Sequence, residues 1–251
     1  MIISHNKKFV FLRTGKTASS SMEVYLSQFC NENDTITTLG TFASEDEDEF
    51  KKKHGLPGAQ NYILKKRSFG IKNFLNFNFY NNVHVNSHDP IHKVLKSEIG
   101  SKIKNYFFFC LIRNPFDWIV RSFWWYLYLK KKRDINWINE VSQKEIIENF
   151  KIFINYESQK YFDKQKDIVT NKYINIKIFK YEQFDENIKA IKKKLNIDKE
   201  KISISDIRFK KLKIEREILI DNEDEKKIIE YGKFFFENYY RELSLPSRYR
   251  K

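Results

Sequence analysis

Arg13-Thr14-Gly15-Lys16-Thr17-Ala18-Ser19-Ser20-Ser21 sets a lysine among small and hydroxyl-bearing residues. Residues 8–12 before it are a compact run of β-formers, and residues 22–29 after it are apolar at helical spacing, so the segment reads as the loop of a strand–loop–helix unit. In that setting backbone N–H groups and the helix N-terminus face an anion. Lys16 adds a mobile positive charge. Thr17, Ser19, Ser20 and Ser21 add hydroxyl donors, and with Ala18 they are small enough for the backbone to approach closely. The chemistry is the cradling of a phosphate-like or sulfate-like group. The plainer alternative is a serine-capped helix after a turn.

A second constellation, Arg113-Asn114-Pro115-Phe116-Asp117-Trp118-Ile119-Val120-Arg121-Ser122, follows the apolar run at residues 106–112. In an open α/β sheet, ligands sit beyond the carboxyl ends of strands, where Arg113 falls. A guanidinium there grips a phosphate bidentately, and Arg121 or Ser122 completes the site from the helix two turns later. Taken alone, R-N-P also fits a turn with a structural salt bridge. A nucleoside-triphosphate loop competes for the first segment, because Gly15-Lys16-Thr17 looks like the end of G-x-x-x-x-G-K-[ST]. The first glycine of that motif would fall at Val10, inside the strand, so the motif fails.

The elements that must position these residues follow from pattern. Residues 106–112 show no polar alternation, as expected of a strand buried on both faces of a parallel sheet. Pro115 suits the first turn of a helix, along which Phe116, Ile119, Val120, Phe123, Trp124 and Leu127 recur at helical spacing until residues 130–133 end it. A strand at 174–179 precedes a helix at 184–195, and another helix is expected over 223–236. Residues 42–82 differ, with an acidic cluster, lysine-rich and Gly/Pro-containing sequence and an aromatic stretch; they read as a variable excursion with some helix. Strands alternating with helices argue for an α/β fold: a single P-loop-like domain over residues 1–251, its central, mostly parallel sheet flanked by helices.

Together the two constellations resemble the donor-binding signatures of PAPS-dependent sulfotransferases, above all the carbohydrate-type family. Its members carry K-T-A-[GS]-[TS]-S after the first strand and R-N-P-[YFW]-D-x-[LIV]-[VI]-S after a later one. Residues 16–21 match the former fully. The resemblance implies PAPS as co-substrate and PAP as product. It also implies that Lys16 and its loop bind the 5′-phosphosulfate and that Arg113 binds the 3′-phosphate. One position departs: where the pattern has serine this chain has Arg121, with Ser122 one residue late and rotated by about 100° around the helix. Ile178-Phe179-Lys180-Tyr181-Glu182-Gln183-Phe184 is similar to the family's R-[YF]-E-x-L segment. Residues 207–216 are similar to its basic nucleotide-covering loop, though a solvated lysine-rich turn fits them equally.

Transfer to a hydroxyl needs a group to take its proton, and histidine is the natural base. Of the five histidines, His84, His88 and His92 recur every four residues. That spacing suits metal ligands on a helix, but Asp89-Pro90 disfavours helix through that point, so no metal site is expected. Asp89 and Pro90 read instead as an N-cap and first helical residue, leaving residues 83–87 as a short strand with His88 at its exit. The separation of His88 from Arg113 is similar to that of the catalytic histidine in bacterial members of the family. His88 and Lys16 are the expected catalytic residues of an in-line sulfuryl transfer.

Composition bounds the rest. At 251 residues, 41% apolar and 16% aromatic, the chain has material for a real core, and disorder is not expected. A net charge of +14 points to polyanionic partners, yet abundant lysine is explained as readily by solvated helix faces. Two cysteines imply no disulfide framework, and no segment reaches bilayer-spanning length or carries a cleavage site, so a cytoplasmic protein is expected. The expected partners are the nucleotide donor and a hydroxyl acceptor, a saccharide by family likeness, with no nucleic acid. A P-loop-type kinase and a non-enzymatic polyanion-binding protein are the rival functions.

Overall fold

Residues 9–12 and 107–112 carry no charged side chain, and each forms a strand whose two faces are both covered, Phe107 alone being partly open. The structure, a computed structural model, describes residues 1–38, 45–66, 82–132, 134–207, 214 and 216–250. Much of the 42–82 excursion and most of the basic segment at 207–216 therefore lie outside the described residues. In chain order the elements are β1 (Ile2–Ser4), β2 (Phe9–Leu12), α1 (Ser19–Ser27), β3 (Thr35–Ile36), α2 (Glu45–Lys53), β4 (Ile63–Lys65), β5 (Asn82–His84), α3 (Ile91–Leu95) and β6 (Phe107–Ile112). They continue with α4 (Pro115–Lys130), α5 (Ile135–Glu140), α6 (Gln143–Tyr156), α7 (Ser158–Val169), β7 (Ile176–Lys180), α8 (Phe184–Lys194), α9 (Asn222–Tyr231) and α10 (Lys233–Tyr239).

The fold is α/β with a central, mostly parallel sheet in the order β3-β1-β2-β6-β7. The long strands pair parallel, β2 with β6 and β6 with β7. The short ones add antiparallel, β1 to β2 and β3 to β1. Geometry dictates the difference. Only residues 5–8 join β1 to β2, too few for the crossover that a parallel pair requires. The two added strands have no counterpart in the sequence reading, being too short to show a period of two.

Contacts group the chain into two compact units: Met1–Thr14, Ala18–Ile112 and Ile168–Phe209 in the first, and Gly15–Thr17, Arg113–Asp167 and Lys210–Lys251 in the second. Each is discontinuous in sequence. In the first, alternate strand residues make one face of the sheet, with Ile2, Phe9, Phe11, Phe109, Leu111 and Phe179 packed against Met22, Tyr25 and Leu26 of α1 and Ile188 and Ile191 of α8. The second has an aromatic core around α4. Phe123 meets Phe150 and Phe153, Phe116 meets Phe236, and Trp118 meets Phe162. The helical stripe expected from Phe116 to Leu127 is buried throughout.

Three expectations need correction. The helix expected over 223–236 is two helices, broken at Gly232, where a Cβ would lie 3.0 Å from the Phe162 ring; the bare backbone there lets Phe162 approach. The strand expected at 83–87 is Asn82–His84, which pairs antiparallel with Ile63–Lys65 in a separate two-stranded sheet. Asp89 does not cap α3. Pro90 holds the N-cap position with extended backbone, and the Asp89 carboxylate turns back to the Asn86 N–H at 2.7 Å and to Lys93. Among the described residues no helix is long and apolar enough to cross a membrane.

Phe109 is fully buried and its ring neighbours are Phe9, Phe11, Phe107 and Phe179. Phe109→Ala is expected to cost about 3–5 kcal/mol, read from urea unfolding midpoints, the loss typical of an emptied aromatic site. A cost below about 1 kcal/mol would mean that this core collapses around the gap.

Candidate active site

The loop after β2 is held by its own side chains before it becomes a helix. The Thr14 hydroxyl donates to the carbonyl of Leu111 in β6, and the Ser19 hydroxyl donates back to the Thr14 carbonyl at 2.6 Å. Two residues of the loop, Lys16 and Ala18, take left-handed backbone with φ of 56° and 58°. For residues with a Cβ this costs about 1–3 kcal/mol each, so the surroundings must hold them there. Alternation of left-handed with other backbone turns successive N–H groups to one side, the habit of anion-binding nests. Helix α1 then starts with no side-chain cap and no acidic residue in its first turn. Its dipole is thus unopposed at the end that attracts anions.

Arg13, 3% exposed, anchors this corner of the first unit. Its guanidinium donates to the Ser20 hydroxyl and lies 3.5 Å from Glu23 Oε2 and 4.0 Å from Glu47 Oε1. Glu23, fully buried in α1, also receives the Met1 amino group at 3.0 Å. Burial by itself would raise the Glu23 carboxyl, but the Met1 amino group, Arg13 and Lys51 outweigh it and hold the group below the ordinary glutamate range.

His88 reaches the same residue. Its Nδ1 lies 2.9 Å from the Arg13 carbonyl oxygen. A carbonyl only accepts, so Nδ1 carries a proton, and whenever the ring is neutral its lone pair is on Nε2. The turn around His88 is braced by the Asp89 N–H to the Asn86 carbonyl, and by the carboxylate of Asp89 on the Asn86 N–H. His88 is therefore tied to the end of β2, three residues before Lys16 in the chain, although it follows a strand, β5, that belongs to the small sheet.

In the second unit the Gly15–Lys16 backbone meets residues after β6. Arg113 Nη1 donates to the Lys16 carbonyl at 3.3 Å. The Trp118 indole N–H donates to the Gly15 carbonyl at 2.7 Å, and the Gly15 N–H donates to Gln165 Oε1 at 3.0 Å. The Lys16 ammonium lies 3.5 Å above the Trp125 ring centre. Asn114 caps α4 with its side chain on the Phe116 and Asp117 N–H groups, and Pro115 takes the first helical position as expected. Asp117 is in turn held by Arg248 and by the Tyr249 hydroxyl at 2.9 Å. The two motifs are thus brought together through Lys16 and Arg113.

The remaining sequence candidates fall as follows. Thr17 is fully buried. Ser20 and Ser21 are half-buried at the start of α1. Ser122 is 1% exposed and its hydroxyl donates to the Trp118 carbonyl of its own helix, whereas Arg121 is exposed. His84 is exposed on β5. Among the described residues no three His, Cys, Asp or Glu side chains gather as a metal site.

Residues 1–230 match the sulfotransferase family, and the chain belongs to it. It is accordingly a transferase that moves a sulfuryl group. Comparison with curated proteins and with solved structures found no match.

Sequence reasoning missed Glu23 and Gln165, and gave no role to Arg13 and Trp118 although both stand within the two motifs. Glu23 carries a signal in hindsight, a lone carboxylate between Met22 and Val24 on an otherwise apolar stretch. Gln165 carries none, since a glutamine among lysines and aspartates reads as helix surface. The depressed Glu23 carboxyl makes a pH statement. Its stabilising contribution is complete above the unfolded pKa of about 4.3 and is lost as pH falls through the lower folded value. Urea midpoints should therefore fall more steeply with acid below about pH 4 in the wild type than in Glu23→Gln. Parallel acid limbs would remove Glu23 as the cause.

Proposed function

We propose that this sulfotransferase transfers the sulfuryl group of PAPS to a saccharide hydroxyl by in-line displacement, with His88 as general base and residues 1–251 acting as one catalytic domain. The observation that carries the reading is the His88 Nδ1 bond to the Arg13 carbonyl, which presents Nε2 as the proton acceptor. PAPS supplies a sulfuryl group already activated as a mixed anhydride with phosphate.

The residues fit such a donor. Lys16, the hydroxyls of Thr17, Ser20 and Ser21, and the main-chain N–H groups from Thr17 through Ala18 to Ser21 suit the 5′-phosphosulfate, in a loop whose left-handed residues favour an anion. Ser19 contributes through its main chain, because its hydroxyl is spent on the Thr14 carbonyl. Arg113 suits the 3′-phosphate. Of its two possible helpers we favour Arg121, whose head group is exposed, over Ser122, whose hydroxyl is turned into its own helix. His88 Nε2 takes the acceptor proton as the acceptor oxygen bonds to sulfur and the sulfur–oxygen bond to phosphate breaks. Lys16 and the loop N–H groups stabilise the charge that grows on the departing phosphate oxygen. No metal takes part in this scheme.

A saccharide acceptor is supported by family likeness and by Trp125 and Tyr128, half-buried rings 5.6 Å apart on α4. Two cysteines outside any disulfide accord with a cytoplasmic setting. The test is transfer from labelled PAPS to a panel of glycans, lipids and small alcohols. Lys16→Ala and His88→Ala are each expected to lower turnover on the order of 10²–10³-fold. Wild-type turnover in either variant would remove that residue from the mechanism. Thermal stabilisation by PAP, with none by ATP plus Mg²⁺, is the companion result; the reverse preference would point to a kinase.

A further inference from the structure

Both polar atoms of the Gly15 backbone are taken by buried side chains that neither motif specifies. The Gly15 carbonyl accepts from the indole of Trp118, at the position that the R-N-P-[YFW]-D-x pattern leaves open, and the Gly15 N–H donates to Gln165 Oε1. Trp118 is 4% exposed and Gln165 5%. The two are coupled through packing. The Trp118 ring lies 4.9 Å from that of Phe162, which sits three residues before Gln165 on α7 and so on the same helix face. Trp125, two turns beyond Trp118 on the same side of α4, meets the Lys16 ammonium.

We infer that Trp118 and Gln165 are positioning residues for the donor: they clamp the Gly15 peptide groups and thereby hold Lys16 in its left-handed conformation before a ligand arrives. The physical reason is preorganisation. A non-glycine residue does not keep φ near +56° unless its neighbours impose it. Here the restraint on the preceding residue comes from side chains on two helices, with the Lys16 carbonyl itself held by Arg113. A turn fixed in advance spares the donor the cost of ordering it, so the clamp acts on donor affinity. Neither side chain needs to touch the donor. The inference rests on the reading of the loop as the PAPS site, but the clamp itself is testable without that reading.

Trp118→Phe keeps a ring against Phe162 and removes only the N–H donor; Gln165→Met keeps the bulk and removes the acceptor. Each single variant is expected to weaken PAP binding by about 3–10-fold in calorimetry, the worth of one hydrogen bond. Activity loss should fall on the KM for PAPS more than on kcat. The double variant should be little worse than either single one, because both restrain the backbone of one residue, Gly15, from its two sides. Amide exchange at Gly15 and Lys16 in the ligand-free variants should speed up by at least the same factor. Unchanged exchange at these amides in both variants would overturn the clamp, as would lowered melting temperatures with PAP affinity intact. If the wild type binds no PAP at all, the donor assignment fails, and the exchange rates alone then decide whether the clamp exists.

Discussion

Parallel pairing of β2 with β6 is the constraint on which the remaining arrangement depends. With Leu12 opposite Cys110, both strands run the same way and leave the sheet at the same edge. β7 joins them, with Lys180 opposite Ile112. An antiparallel pair would have sent the turn after Leu12 and the arginine after Ile112 off opposite ends of the sheet. Instead, the first hydroxyl of the turn reaches the β6 backbone, and the next residues meet Arg113. The aromatic and aliphatic residues of both strands suit this pairing, because strands in the middle of a parallel sheet are covered on both faces.

Arg13 illustrates how a buried charge can organise more than it stabilises. Taking a guanidinium and carboxylates out of water is costly, and well-packed apolar residues often do as well for stability. What apolar residues lack is direction. The Arg13 side chain points into the Glu23 and Glu47 carboxylates and across to Ser20, which fixes the residue, while its carbonyl orients the imidazole of His88 from the turn after β5. One residue at the end of β2 thereby connects the start of α1 to His88.

Legibility in the sequence tracked the range of the interactions. The central strands, helix α4 with its Asn-Pro start, α8 and the loop between β2 and α1 all showed locally, in runs of β-formers, helical spacing and capping residues. Where prediction slipped, a contact that the local pattern does not announce had won. Asp89 looked like a cap but serves the turn behind it; the stretch at 83–87 looked like a strand leading to His88 but ends at His84 and pairs with residues 63–65. The helix ending near Phe236 is broken at Gly232, where Phe162, some seventy residues earlier, packs against the bare backbone. Helices α5 to α7 had no sequence assignment, though the Asp134 and Ser142 caps and the strong amphipathicity of α6 were there to be read.

The sequence by itself determined the family, the α/β class, and which residue types stand at the strand exits: a lysine among hydroxyls, and an arginine before Asn114. These follow from nearest-neighbour chemistry, since strand, turn and helix propensities act over a few residues. Only tertiary structure decided which groups meet. That His88 turns its Nδ1 to Arg13, that Trp118 and Gln165 close on Gly15, and that Ser122 faces its own helix while Arg121 faces solvent depend on packing between segments far apart in the chain. Spacing along one strand or helix carries no record of what another element will place against it.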